Sequence, residues 1–470
     1  MKRSIFSLLC VVLLASACNK MQGDEKDILA YYSNIFAHSM MDTYYLWRDE
    51  PEIAREIDNW KYTGDAIQKV ASCLHEADKW TWLYDNYAPV EQAITGSGKT
   101  FGLDYMAYYA NPQKTEVKAV VCYTYADSPA RKAGLERGDE ILTIDGEILT
   151  PANYAGHFSK FYYNSSIQLG LSDGRTIRME AAEMYENPVH TVSTFERNGV
   201  KYGYLHFTKF TLDACKDLES AFAQFKAEGI QELVLDLRYN GGGYLTTSTA
   251  LASMIAPPSA VSQEKVFNKD VYNKNLTESL EGEVEVRFAP EITYTSDVTH
   301  QKVTVKPLDV NPGIKHLWVL VTYDSASASE AIICGLKPYM DVTVVGEKTY
   351  GKFCGGAAVS GPEWFSLMEK YNGFDSSFDY DEARETLENW GIYVIHSRYA
   401  DCNGETLSMP DGITPDIAGS DDLFDGYQLG DPSETLLATA LGAVKSAPAT
   451  PTQVPLETPY RRPGFGILLH

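Results

Sequence analysis

Hydrophobic spacing divides most of the chain into blocks of different character. Residues 24–92 carry apolar side chains at intervals of three to four, as in DILAYYSNIFAHSMMDTYYLW, which predicts a small helical domain. Between residues 190 and 445, helical patterns alternate with short apolar runs such as ELVLDLRYN (232–240), HLWVLVTYD (316–324) and VTVVGEK (342–348). Apolar strands that alternate with helices are typical of a sheet covered on both faces. This block therefore predicts an α/β core with a mostly parallel sheet.

The first residues predict export from the cell. Lys2 and Arg3 precede the apolar run IFSLLCVVLLASA, which is typical of a cleaved signal peptide over residues 1–17. The run ends in LASAC, which resembles the processing site of a bacterial lipoprotein and would make Cys18 the lipidated residue. We therefore expect a periplasmic or cell-surface protein that a lipid anchors to a bacterial membrane, the outer one if there are two. A plain secretory signal is the alternative, because Ala15 is a less typical residue at its position.

Composition narrows the possible partners. The formal net charge of −24 at pH 7 argues against nucleic acid or an anionic membrane surface as a binding partner. The tail over residues 446–470 begins with a proline-rich stretch and is expected to be disordered. The cysteines after the signal have the wide spacing of neither a disulfide framework nor a metal site, and most are expected to be small buried hydrophobes: Cys73, Cys122, Cys215, Cys334, Cys354 and Cys402.

A β-rich block follows the helical segment. VKAVVCYTYADSPARKAGLERGDEILTIDG predicts a strand, a turn, a short helix from Ser128 and a second strand. SPARKAGLERGDEILTIDG resembles the signature of a PDZ domain, and the resemblance covers about residues 95–182. It implies that KTFGLDY is a carboxylate-binding loop, whose amides around Phe101, Gly102 and Leu103 face the C-terminus of a peptide.

A competing motif lies at the start of this block. AITGSGKT (93–100) matches the relaxed form of a phosphate-binding loop. Such a loop must leave a strand and open a helix, whereas a β-like segment follows here. The sequence therefore argues against a nucleotide site.

Three loops follow predicted strands of the core: NGGG (240–243), SASASE (325–330) and KTYGKF (348–353). Loops at the carboxyl ends of parallel strands meet at one edge of the sheet, where open α/β sheets place their sites. On structural grounds alone, Ser327 and Glu330 fit a capping box at the start of a helix.

The chemical interpretation of the same loops is acyl transfer. A serine hydroxyl needs a base, and Lys352 can serve if desolvation lowers its pKa. Glycine amides of the NGGG loop and the amide of Ala328 would suit an oxyanion. The histidines in apolar segments are expected to be structural: His206, His316 and His396.

LVLDLRYNGGG, SASASE and VVGEKTYGK, in this order, resemble the tail-specific, or C-terminal-processing, serine peptidases of family S41. The resemblance extends over about residues 30–445 and implies a serine endopeptidase. It implies Ser327 as the nucleophile, Lys352 as the general base, and an oxyanion hole made by Ala328 and Gly242. Its substrates would be polypeptides, bound by their C-terminal tails at the PDZ domain, and no metal or cofactor is implied.

Two further positions bear on this resemblance. Glu330 matches an acidic position near the nucleophile and is expected to orient the site. Several members of the family carry a glutamine four residues after the lysine, and here that residue is Gly356. Two alternatives stay open, a non-catalytic peptide- or ligand-binding lipoprotein of the same fold and a glycan-related lipoprotein.

The sequence as a whole predicts a multidomain α/β protein. Its expected parts are a signal peptide, a helical N-terminal domain, a PDZ-like β-rich domain, an α/β peptidase core and a tail: 1–17, 24–92, 95–182, 190–445 and 446–470.

Overall fold

The computed structural model describes residues 25–280, 284–370, 379–405, 409, 411–442, 454–455 and 468–469. The predicted signal peptide, Cys18 and most of the predicted tail lie outside these ranges. In the described part of the chain, no helix combines the length and the apolar composition that crossing a bilayer requires.

The N-terminal helices form where the apolar spacing predicts them. The elements are α1 (Glu25–Tyr44), α2 (Pro51–Asp58), α3 (Ala66–Ser72), β1 (Trp82–Tyr84) and α4 (Ala88–Thr95). They do not build a core of their own, because β1 joins a C-terminal sheet with Leu83 opposite Ile392. Phe36 of α1 likewise shares an apolar cluster with Trp364 from the C-terminal half. The small helical domain expected over 24–92 therefore packs on the C-terminal core and shares an apolar cluster with it.

The β-rich block, called the middle domain below, spans residues 97–185. Its elements are β2 (Ser97–Thr100), β3 (Leu103–Tyr109), β4 (Val117–Thr124), α5 (Pro129–Lys132), β5 (Glu140–Ile144), β6 (Glu147–Ile148), α6 (Tyr154–Tyr163), β7 (Ser166–Leu171), β8 (Thr176–Glu180) and β9 (Ala182–Tyr185). The predicted short helix is α5: Ser128 caps it by accepting from the Arg131 N–H at 3.0 Å, and Pro129 is its first residue. Helix α4 precedes strand β2, the reverse of the order in a phosphate-binding loop.

The C-terminal core follows from residue 189. Its elements in chain order are β10 (Val189–Arg197), β11 (Val200–Phe207), α7 (Ala214–Glu228), β12 (Glu232–Asp236), β13 (Gly243–Tyr244), α8 (Leu245–Ile255), α9 (Pro258–Ser262), β14 (Val266–Tyr272), α10 (Lys274–Ser279), β15 (Val284–Arg287), β16 (Ile292–Thr295), β17 (Lys302–Val305), α11 (Pro307–Val310), β18 (His316–Val321), α12 (Ala328–Leu336), β19 (Asp341–Gly346), β20 (Cys354–Ser360), α13 (Gly361–Lys370), α14 (Tyr380–Leu387), β21 (Gly391–Ala400), β22 (Ile417–Ala418) and α15 (Thr435–Ala440). The short strands β23 (Val454–Pro455) and β24 (Leu468–Leu469) come last.

One sheet of the core agrees with the prediction. Its order is β10-β11-β12-β18-β19-β22, and every pairing except β10 with β11 is parallel. The three apolar runs quoted above form its central strands β12, β18 and β19. Their carboxyl ends deliver the three loops to one edge, as the alternating pattern predicts.

The second sheet departs from the prediction of a mostly parallel core. Its order is β13-β24-β20-β21-β14-β15, with β1 on β21, and β20, β21, β14, β15 and β1 pair antiparallel. Among the strands that the structure describes, antiparallel pairings outnumber parallel ones. The sequence misled because helices separate β20 from β21. A single helical crossover returns the chain to the end of the sheet where the first strand began, so the next strand is parallel to it. The two helices α13 and α14 instead leave the chain at the end where β20 finishes, so β21 runs antiparallel to β20.

Helices α7, α8 and α12 pack against the parallel sheet in one apolar cluster. Leu235 and Val319 contribute from the strands and Ile332 from α12, while Phe267 and Tyr399 bring in the second sheet. The start of α12 is therefore held between two sheets, which fixes the backbone around Ser327.

Candidate active site

Ser327 lies between the end of β18 and the start of α12. Its side chain is fully buried, and its backbone has φ 60° and ψ −112°. A positive φ is costly for a residue with a side chain and persists only where the surroundings enforce it. Ser327 is the N-cap of α12 and Glu330 the third residue of the helix, as the predicted capping box requires, but this backbone conformation is not the β region that N-caps ordinarily use.

The three serines of SASASE differ in what their hydroxyls do. Ser325 Oγ donates to the Leu237 carbonyl at 3.0 Å, and Ser329 Oγ donates to the Asn240 carbonyl at 2.9 Å. The buried Ser327 Oγ has no hydrogen-bond partner in the described structure. A buried hydroxyl without a partner is costly and calls for an explanation. Of the three, only Ser327 has a hydroxyl that is not committed to holding the backbone.

Glu330 ties the serine loop to the lysine loop. Its Oε2 accepts from the backbone N–H groups of both Ser327 and Lys352, each at 2.9 Å. Its Oε1 accepts from Thr349 Oγ1 at 2.6 Å and from the Gly351 N–H at 2.7 Å. Burial raises the pKa of Glu330, and these four donors oppose the rise. The predicted role in orienting the site corresponds to these contacts.

Tyr399 makes the second tie between the same two loops. Its buried hydroxyl lies 2.9 Å from the Ser327 carbonyl oxygen and 2.8 Å from the Lys352 carbonyl oxygen. The tyrosine stands on β21 of the antiparallel sheet. Ser327 and Lys352 are therefore bridged through their N–H groups by Glu330 and through their carbonyls by Tyr399.

Lys352 is fully buried in an aromatic environment. Its Nζ donates to the Tyr393 hydroxyl at 2.9 Å and lies 4.9 Å from the Tyr393 ring centroid and 5.3 Å from that of Trp80. Desolvation lowers the pKa of Lys352 to about 8, and the charges of Cys354, Asp78 and Glu330 offset it only in part. A lysine with a pKa this close to neutrality can act as a base.

The glycine loop lies directly against Ser327. A Cβ on Gly242 would stand 2.8 Å from Ser327 Cβ and 3.1 Å from the Ala328 nitrogen, and its φ is 106°, so only glycine fits. The Gly242 N–H donates to Asn240 Oδ1 at 2.9 Å. Gly242 is thus adjacent to the serine as expected, but its amide must exchange this hydrogen bond before it can hold an oxyanion. Ala328 opens α12 beside it.

The proposed carboxylate loop of the middle domain faces the glycine loop. Phe101, Leu103 and Gly242 all line one cavity of about 110 Å³. Gly102 has φ 69°, and its N–H donates to Thr100 Oγ1 at 3.0 Å. The loop therefore lies close to the candidate active site, with one of its three amides engaged within the loop.

The histidines that were expected to be structural make contacts with neighbouring side chains. His206 Nδ1 lies 3.1 Å from His190 Nδ1, His316 Nε2 lies 2.8 Å from Thr343 Oγ1, and His396 stacks on Tyr272. Four of the six described cysteines are buried, which confirms the expectation for most of them: Cys73, Cys122, Cys215 and Cys354.

Sequence reasoning missed three aromatic residues of the site: Trp80, Tyr393 and Tyr399. Trp80 comes from the segment before β1, and the two tyrosines come from β21, far from the motifs in sequence. No local pattern marks them. The one available signal was Gly356, whose missing side chain indicates that another group fills the space beside Lys352.

Comparison with known proteins agrees with the geometry. Residues 201–418 match the model of peptidase family S41, and this range contains Ser327, Glu330, Lys352 and Gly242. The carboxyl-terminal-processing protease of Synechocystis is 27% identical over 331 residues, covering 69% of this chain and 68% of that protein. The carboxy-terminal processing protease CtpB of Bacillus subtilis is 26% identical, over 64% of this chain and 56% of that protein. The chain thus spans between about half and two thirds of the length of these relatives.

The fold has a solved counterpart. A crystal structure of a Bacteroides fragilis protein assigned to the S41 proteases superposes with a TM-score of 0.64 at 22% identity, covering 90% of this chain and 98% of that one. This likeness concerns the fold alone. Residues 201–418 are therefore similar in sequence to the peptidases of family S41, and the fold of the chain is similar to that of a solved structure assigned to the same family.

Proposed function

We propose that this protein is a serine endopeptidase that cleaves polypeptides with a Ser327–Lys352 dyad. The observation that carries the proposal is the contrast among the three serines, because only the Ser327 hydroxyl is left without a structural hydrogen bond. The lysine loop is bound to it through Glu330 and Tyr399. These contacts supply a nucleophile and a base with a lowered pKa, the two parts that serine acyl transfer needs.

The proposed reaction requires Lys352 Nζ to come within hydrogen-bond distance of Ser327 Oγ, which has no partner in the described structure. Neutral Lys352 takes the proton of Ser327 Oγ as the oxygen attacks the substrate carbonyl. The oxyanion is held by the Ala328 amide and by the Gly242 amide after it leaves Asn240. Lys352 then protonates the leaving amine, and water hydrolyses the acyl-enzyme with Lys352 again as base.

The strands beside the site support a polypeptide substrate. In the structure, the backbone of Leu468–Leu469 pairs in parallel with β13, which follows the glycine loop, and with β20, which follows Lys352. An extended segment of chain therefore fits between these two strands by main-chain pairing. Ser327 and Lys352 are buried in this state, so a substrate must displace the groups that cover them.

The middle domain would select the substrate. Its resemblance to a PDZ domain and the position of Phe101 and Leu103, on either side of Gly102, in the lining of a cavity shared with Gly242 support binding of a C-terminal carboxylate. Amidating the C-terminus of a substrate peptide should raise its KM relative to the free acid. Equal KM values for the two peptides would mean that this domain does not read tails.

Export and anchoring form a separate part of the proposal, since they rest on the first eighteen residues alone. If Cys18 carries a lipid, Cys18→Ser should abolish incorporation of labelled acyl chains and release the protein from the membrane fraction. Wild-type protein that takes up no acyl label would refute the anchor and leave the peptidase proposal untouched.

The test of the peptidase is cleavage of an unstructured peptide by Ser327→Ala and Ser327→Thr, with melting temperature measured in parallel. Both variants should stay folded and lose activity, because threonine keeps a hydroxyl but crowds it with a methyl group, and small misplacements cost rate. If Ser327 were only a cap, threonine would cap as well and stay active. An active Ser327→Ala protein, or a wild type without hydrolysis, would favour the non-catalytic binding protein.

A further inference from the structure

Position 356 and Tyr393 compete for one space beside Lys352. Gly356 lies on β20, and a Cβ there would stand 2.5 Å from Tyr393 Cζ and 2.6 Å from its hydroxyl oxygen. Neither distance is physically tolerable, so the tyrosine ring occupies the volume that any side chain at 356 would enter. The φ of Gly356 is not positive, so its backbone conformation would accept other residues. The glycine is required by Tyr393 and not by the strand.

The tyrosine uses this space to reach the lysine. Its hydroxyl accepts a hydrogen bond from Lys352 Nζ at 2.9 Å, and its ring lies 4.9 Å from the same nitrogen. The Trp80 ring, at 5.3 Å, gives a further wall. Tyr393 itself is 1% exposed and is held in β21 by pairing with Ala358. Its hydroxyl therefore offers Nζ a fixed hydrogen-bond partner among buried side chains.

We propose that Tyr393 is the positioning residue for the general base Lys352, in the place that several family members fill with a glutamine four residues after the lysine. The inference rests on the proposed peptidase function. A phenol suits this role because it can accept from the ammonium form and donate to the neutral amine. Nζ can then stay at one place while the proton moves to and from Ser327.

The first test is Tyr393→Phe, which keeps the ring and removes the oxygen. We expect kcat to fall about 10- to 100-fold with KM changed less than about twofold, because a displaced base slows chemistry without altering substrate binding. The pH dependence of kcat/KM should also shift, since the environment of Lys352 changes. Tyr32→Phe is the matched control: it removes another buried hydroxyl, which donates to Glu382 at 2.9 Å, and it should leave kcat unchanged. A Tyr393→Phe enzyme with wild-type kcat and pH profile overturns the inference.

The second test exchanges the two positions. In a Tyr393→Ala background the space beside Gly356 is open. Adding Gly356→Gln should raise kcat at least about fivefold above that of Tyr393→Ala alone, while Gly356→Leu, which has a side chain of similar size, should not raise it. Equal activity of the two double variants, or a glutamine variant no better than Tyr393→Ala alone, contradicts the positioning role. When Tyr393 is retained, the single variant Gly356→Gln should be inactive, because the glutamine side chain clashes with the tyrosine ring.

The two proposals fail separately. Wild-type protein that hydrolyses peptide and loses this activity in Ser327→Ala supports the peptidase whatever the tyrosine variants do. With that result in hand, the Tyr393 and Gly356 series decides the positioning role alone. A wild type that never hydrolyses peptide overturns the peptidase and this inference with it.

Discussion

Arg238 and Lys352 are both fully buried cations of the same core, and their surroundings are opposite. Arg238 donates to Asp236 at 2.9 Å, to Asp421 at 2.6 Å and to Glu434 at 2.7 and 2.9 Å. Lys352 donates to the Tyr393 hydroxyl and lies beside the rings of Tyr393 and Trp80. Burial opposes the charged form of Arg238, but the three carboxylates outweigh it and raise its pKa well above the usual value. Desolvation prevails at Lys352 and lowers its pKa to about 8.

The difference separates a cation that is held by ion pairs from one that can exchange its proton. The Arg238 network also takes in Arg137 of the middle domain, which donates to Asp421 at 2.5 Å and to the Tyr239 hydroxyl at 2.9 Å. It thereby joins the middle domain to the core just before the glycine loop. A cation satisfied in this way keeps its proton, whereas the lowered pKa of Lys352 allows it to exchange its proton near neutral pH.

The largest effect is expected at the lysine. Lys352→Met should reduce kcat/KM by about 10²- to 10⁴-fold, the usual contribution of a general base, and Lys352→Arg should do the same because arginine stays protonated. A peptide cleavage assay measures this. An arginine variant with near wild-type turnover would contradict the dyad.

The substitution Lys352→Met should not destabilise the fold at neutral pH. Because the pKa of Lys352 is lowered in the folded state, its charge costs stability below about pH 8, and this cost disappears as pH rises from about 8 towards the usual lysine value of 10.5. Lys352→Met should therefore unfold at the same or higher denaturant concentration than wild type at pH 7. Clear destabilisation by methionine would mean that the ammonium group supports the fold.

The next effect is the reverse one, at the arginine. Arg238→Met should lower the free energy of unfolding by about 3–5 kcal/mol, because it leaves Asp236, Asp421 and Glu434 buried without their cation. Denaturant unfolding at pH 7 measures it. A loss below about 1 kcal/mol would show that the network contributes little to stability.

The lysine and arginine predictions also show how much of the site and of the fold can be predicted from the sequence. Ser327, Glu330 and Lys352 were foreseeable because each follows a strand of the parallel sheet, whose apolar runs are visible in the sequence. Arg238 stands in the quoted run LVLDLRYN, but nothing local marks its partners Asp421 and Glu434, nearly two hundred residues later. Tyr393 and Trp80 reach the site through the antiparallel sheet and the N-terminal layer, whose pairing with the core no local pattern encodes.

A smaller effect concerns pH. If Lys352 is the base, kcat/KM should rise about tenfold for each pH unit below the pKa of about 8 and level off above it. Initial rates between pH 6 and 9.5, with stability checked at each pH, give this profile. A flat profile, or a rise centred near 10.5, would contradict the lowered pKa.

The smallest effects are expected at the neighbouring serines. Ser325→Ala and Ser329→Ala each remove one hydrogen bond to a backbone carbonyl and should cost on the order of 1 kcal/mol of stability. Both should keep cleavage within a few-fold of wild type. If activity were lost only in one of these two variants while Ser327→Ala stayed active, Ser327 would not be the nucleophile.

The most direct measurement of the dyad is covalent labelling with a serine-reactive fluorophosphonate, followed by mass spectrometry of the intact protein and its peptides. We expect one adduct, on Ser327. The labelling rate should rise with pH to a plateau, and the midpoint of this rise should lie near the Lys352 pKa of about 8. Ser327→Ala should take no label, and folded Lys352→Met should label at least about 100-fold more slowly. An adduct elsewhere, or equally fast labelling of Lys352→Met, would contradict the account.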